Sequence, residues 1–161
     1  MVLFMEWKPK RYLNLRNRSM NKFSVSLLED NFKQCFTFLG DYDYVLSYCE
    51  MITENQLKLV FINKIKEKEI LISICISEYT KNFYIYIAIV RIPYLVDFDF
   101  VDFDIYLDKN KIKHPNLLEE DEQNNENANK YIETYAELFK EYGIELIISD
   151  KQFPHYFPER T

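Results

Sequence analysis

The chain has 161 residues, 48% of them apolar and 17% aromatic, and a net charge of −6. That is the size of one domain with ample core material, which excludes general disorder and a miniprotein dependent on disulfides or metal. Its longest apolar run, residues 83–90, is far too short to span a bilayer, and its two glycines, Gly40 and Gly143, leave no glycine-rich phosphate loop.

Residues 1–22 carry six basic groups and one acidic group. They are expected to form a basic arm that contributes little to the core, opening at either Met1 or Met20. The apolar start is too short for the hydrophobic region of a signal peptide. One domain is expected over 23–149, followed by an aromatic and proline-rich tail, 150–161.

The spacing of Leu28, Phe32, Cys35, Phe36 and Leu39 predicts a helix over 26–39. Ser26 and Glu29 fit a capping box, and Gly40 suits a left-handed C-cap. Four strands follow. Residues 42–51 alternate Tyr44, Leu46 and Tyr48 against Val45, Ser47 and Cys49. Residues 57–63 form the second. In the third, Ile70, Ile72, Ile74 and Ile76 point one way; β-branched side chains at every second position belong on a pleated, buried face. In the fourth, residues 83–92, Phe83, Ile85, Ile87 and Ile89 oppose Tyr84, Tyr86, Ala88 and Val90. The connections are short and polar, as antiparallel neighbours require.

Pro93 ends the fourth strand. Residues 97–104 then alternate aspartate with apolar residues, with a phase slip at Phe100 and Val101 that predicts a bulge or bend. Residues 110–129 read as a polar loop. Tyr131, Tyr135, Leu138, Phe139 and Tyr142 mark a second helix closed by Gly143, and 144–148 is either a strand or a last helical turn. Together these elements predict an α+β fold: an antiparallel meander sheet of four to five strands, with an N-terminal and a C-terminal helix packed mainly on one face.

Charge is concentrated in residues 97–126, which hold ten acidic and three basic groups. Asp97, Asp99, Asp102 and Asp104 form the most suggestive cluster. As an acidic patch they could capture a basic protein; as paired carboxylates they could hold a hard cation for a metal-dependent hydrolase. The bland reading is an acidic edge whose aromatics face the core. The run Glu119-Glu-Asp-Glu122 extends the negative field. Tyr84 and Tyr86, with Tyr44 and Tyr48, would share a sheet face and could serve as interface anchors. Negative charge beside them weighs against nucleic acid. Three cysteines, Cys35, Cys49 and Cys75, fit no zinc or redox spacing and suit a reducing cytoplasm. His114 and His155 stand at no catalytic-motif spacing, and His114 reads as a surface loop residue.

The opening helix Phe32-Lys-Gln-Cys-Phe-Thr-Phe-Leu39-Gly40, the Asp41-Tyr-Asp-Tyr44 entry, the strands at 57–63 and 69–76, and the late helix at 131–142 resemble small bacterial α+β immunity proteins of polymorphic toxin systems. The resemblance spans 24–148. It implies a cytoplasmic, non-catalytic protein without cofactor that neutralises a cognate, basic toxin domain through an acidic surface. Asp97, Asp99, Asp102 and Asp104 would supply the charge, and Tyr84 and Tyr86 the anchors. The alternative is a structural module that buries its tyrosine face against a second copy.

Overall fold

The structure, a computed structural model, describes residues 23–93, 99–151 and 153–154. It is an α+β fold built on one five-stranded antiparallel sheet. The strands are β1 (Val45–Thr53), β2 (Gln56–Asn63), β3 (Lys68–Ile76), β4 (Phe83–Arg91) and β5 (Phe100–Asp102), in that order across the sheet. The helices are α1 (Glu29–Cys35), α2 (Phe103–Lys109), α3 (Asn125–Leu138) and α4 (Ile144–Ile148). The basic arm at 1–22 and most of the tail lie outside the described residues.

The alternation in β3 and β4 decides which face is buried. Ile70, Ile72, Ile74, Phe83, Ile85, Ile87 and Ile89 join the main core together with Leu57, Leu59 and Phe61 of β2. Residues from the helices close over them, among them Phe32, Tyr131, Ile132 and Phe139. Phe83 takes Tyr131 edge-on at 5.6 Å between ring centres. Each such side chain contributes about 1.5–3 kcal/mol by leaving water.

The opening of the domain departs from the capping-box expectation. Ser24, not Ser26, caps a 3₁₀ turn at Val25–Leu28. Glu29 then opens α1 and pairs with Lys33 one turn on, at 2.9 Å. A second 3₁₀ segment, Thr37–Tyr42, follows. Gly40 does not adopt the left-handed conformation; Asp43 does, with φ 67°. An aspartate tolerates this backbone because its short polar side chain can bond locally.

The second helix starts earlier and ends later than its tyrosine stripe implies. From α3 the chain continues through a π turn at Phe139–Gly143 directly into α4. So residues 144–148 are helical, and Gly143 does not end the helix. A β-carbon at Gly143 would stand 2.5 Å from Cδ1 of Phe139, whose ring is fully buried. The glycine is needed there because the ring lies against its backbone.

The end of α4 is tied to the sheet. A helix leaves its last carbonyls without intrahelical partners. Here Tyr44 Oη donates to Ile147 O at 2.8 Å, and Lys68 Nζ donates to Leu146 O at 2.9 Å and to Ser149 O. Lys68 is fully buried, and its ammonium also sits 5.1 Å from the centre of the Phe153 ring. Burial holds its pKa down at about 8, and nearby Arg91 and Lys66 push the same way against the pull of Asp150. The negative end of the helix dipole partly offsets that cost.

Lys68→Ala should lose about 3 kcal/mol of stability, from lost stem packing and two orphaned carbonyls. A depressed lysine pKa contributes stability above pH 10.5 that is lost as pH falls through about 8. Denaturant unfolding should therefore show the wild type gaining stability relative to Lys68→Met between pH 7 and pH 9.5. Gly143→Ala should destabilise by about 2 kcal/mol through overpacking, although alanine is the better helix former; a rise in melting temperature would contradict the ring contact.

Candidate partner-binding surface

The described aspartates do not form one outward array. Asp99 is 3.8 Å from Arg91, and its side chain is only 13% exposed. Asp102 ends β5 and caps α2, accepting from the backbone N–H groups of Asp104 at 2.9 Å and Ile105 at 3.3 Å. Asp104 is half-buried and accepts from Tyr135 Oη at 2.9 Å. Asp97 lies outside the described residues. The phase slip at Phe100 and Val101 is thus neither a bulge nor a mere bend. It marks the change from strand to helix, where Phe103 and Leu107 follow each other at helical spacing.

His114 lies in the loop after α2 and is partly exposed, but both of its ring nitrogens have partners. Its Nδ1 lies 3.0 Å from Tyr135 Oη, and its Nε2 lies 2.8 Å from Asp108 Oδ1. A carboxylate only accepts, so Nε2 carries a proton. The Tyr135 hydroxyl donates to Asp104, so its oxygen can accept from Nδ1. A protonated ring therefore finds an acceptor at each nitrogen. Burial opposes that charge, but the hydrogen bond to Asp108 and the fields of Asp104 and Asp108 outweigh it and raise the histidine pKa. Burial raises the Asp104 carboxyl, against the Tyr135 hydrogen bond and the field of His114. The chain Asp108–His114–Tyr135–Asp104 ties both ends of α2 and the loop after it to α3. No spacing rule on the sequence could find it, because its members come from three separate segments.

Tyr84 and Tyr86 are half-buried on the sheet face opposite the main core. Tyr44 is not with them: it belongs to the core, while Tyr48 stands opposite Val60. The register of β1 slips between Leu46 and Tyr48, and that bulge moves Cys49 inward and Tyr48 to the second face. Asp102 lies opposite Ala88 and acts on Tyr86, whose pKa is pushed up to about 12 by burial and by this charge. Val60, Cys75 and Ala88 on this face are buried without joining the main core.

The acidic run has a different geometry. Carboxylate oxygens of Glu119, Asp121 and Glu122 lie within 4.8 Å of one another, all on exposed side chains. Glu119 and Glu122 also cap the short turn Glu120–Glu122 reciprocally.

The surface that sequence reasoning missed is β1. It is the outer strand of the sheet and, among the described residues, pairs only with β2. Eight of its nine residues are exposed, on both faces. Val45 is 68% exposed, and Tyr48 and Ile52 are each 44% exposed. A shallow cleft of about 430 Å³ opens beside Val45, between Asp43, Ser47, Ile62 and Lys64. Residues 41–54 contain four acidic groups and no basic one. The signal was legible in that stretch: apolar residues at odd and even positions alike, with charge of a single sign.

Scans of protein-family models and searches of curated proteins and of solved structures return no match to this chain. None of the described helices is long and apolar enough to cross a membrane.

The histidine bridge generates a pH prediction. A raised histidine pKa contributes stability that is present below pH 6.5 and lost as pH rises through the folded value. The stability difference between wild type and His114→Gln should be largest below pH 6.5 and shrink above it. An NMR titration should place the His114 midpoint above 6.5; a midpoint below 6.5 would remove the bridge. Tyr135→Phe should cost about 1–3 kcal/mol, since it strips a donor from Asp104 and an acceptor from His114.

Proposed function

We propose that this chain is a non-catalytic, immunity-like inhibitor that binds a basic protein, with β1 at the centre of its docking surface. The observation that carries this reading is the exposed outer strand. Large apolar side chains stand in water there, and the strand with its flanks has negative charge alone. Contiguous exposed apolar surface marks interaction sites, and one-sign charge steers an oppositely charged partner. The resemblance to toxin-immunity proteins points the same way.

The aspartates play a smaller part than the sequence implied. Asp99, Asp102 and Asp104 have partners within the chain. Their charges hold β5 and α2 in place, and a metal-dependent hydrolase would have to release them from those contacts. The second reading, a module that pairs with its own copy, draws on the partly exposed Tyr84 and Tyr86 of the second face.

Sedimentation velocity separates the two. The inhibitor reading expects a 19.6 kDa monomer whose sedimentation does not change with concentration; dimerisation would favour the module. Co-expression with a basic toxin domain encoded beside this chain should restore the growth which that domain stops. Persistent arrest would overturn the inhibitor reading.

A further inference from the structure

We infer that β1 binds its partner by strand addition, and that the added strand is basic, extended and carries an apolar side chain for the cleft beside Val45. This rests on the protein-binding reading and names the mode of contact. An outer strand presents a row of unpaired backbone groups on its open side, and an extended segment gains main-chain hydrogen bonds by lying along it.

The register shows where the seam can run. Residues 48–51 pair with Val60, Leu59, Lys58 and Leu57 without a break, while register slips stand on either side, at Leu46/Tyr48 and Met51/Thr53. Bulges twist an edge and discourage indiscriminate pairing. They leave a regular window of four residues, so the side chains around the window must supply much of the affinity. Tyr48 opens the window, Val45 lies before its N-terminal end and Ile52 follows its C-terminal end. The cleft beside Val45 is lined by Ser47 of β1 and by Ile62, Asn63, Lys64 and Ile65 at the end of β2 and its turn, on the N-terminal side of the window.

Charge selects the occupant. Asp41, Asp43, Glu50 and Glu54 lie on the strand or its immediate flanks. Glu50 faces Lys58 of β2, one strand inward, and Lys64 lies in the turn after β2. Two copies joined through β1 would align four carboxylates from each along one seam, and like charges across a strand pair are destabilising. A strand with lysine or arginine at alternate positions meets complementary charge instead.

Hydrogen exchange of the full chain, read by NMR, tests this with synthetic peptides. A ten-residue peptide alternating lysine and valine should slow exchange of the outward amides of residues 48–51 about fivefold. A glutamate–valine peptide should not. Nor should a lysine–valine peptide methylated on alternate backbone nitrogens, which keeps its charge but loses its donors. Replacing Glu50 and Glu54 together by lysine should weaken the first peptide about tenfold at low salt, with the amide spectrum otherwise preserved.

Three results overturn the inference. In one, the amides are already protected in the free chain, so residues 1–22 or a second copy fills the edge. In another, the methylated peptide protects as well as the parent. In the third, protection appears only away from β1. Failure here is distinguishable from failure of the inhibitor reading. A toxin neutralised with β1 amides unchanged keeps the function and removes the mode; peptide docking without neutralisation does the reverse.

Discussion

The fold depends on how the last helix meets the sheet. Three donors on two sheet-side chains, Tyr44 and Lys68, reach the carbonyls at the end of α4. The Leu146 and Ile147 carbonyls are buried and lack helical partners, so each left unpaired would cost about 1–3 kcal/mol. A lysine in the core is costly by itself. It is tolerated because the helix end offers oxygen atoms and a negative dipole where the ammonium lies. Because Lys68 begins β3 and Tyr44 precedes β1, this contact sets the long C-terminal helix across the Ile-rich face.

The same economy governs the acidic residues. The chain carries excess negative charge, yet Asp99, Asp102 and Asp104, in the segment that looked most like an interface, are engaged within the chain. Asp102 caps α2, Asp99 meets Arg91, and Asp104 enters a hydrogen-bonded chain with Tyr135 and His114. A carboxylate within reach of backbone N–H groups or a hydroxyl gains more from them than from water once its surroundings are partly desolvated. The acidic residues around β1 stay at the surface.

The strands were legible because a two-residue period is a local signal. Ile70, Ile72 and Ile74 face the core as their alternation requires. The errors arose where one residue changed the phase. The slip beyond Leu46 separates Tyr48 from Tyr44, and the change at Asp102 turns an alternating segment into a helix. A bulge or a cap is a single-residue event, and its residues occur equally in ordinary strands and loops. Gly143 misled in another way: it permits close approach of the Phe139 ring rather than ending the helix.

By itself the sequence determined that the fold is α+β with an antiparallel sheet, where the four main strands lie, and which face of β3 and β4 joins the main core. These follow from periodicity and from the cost of leaving isoleucine and phenylalanine in water. Only the tertiary structure decided that His114 bridges Asp108 and Tyr135, that Lys68 lies inside, and that β1 is the outer strand among the described residues. Each of these depends on which distant segments come together. Burial and pairing belong to a residue's neighbours in space, and residues far apart in the chain become neighbours only when the sheet and its helices have closed on one another.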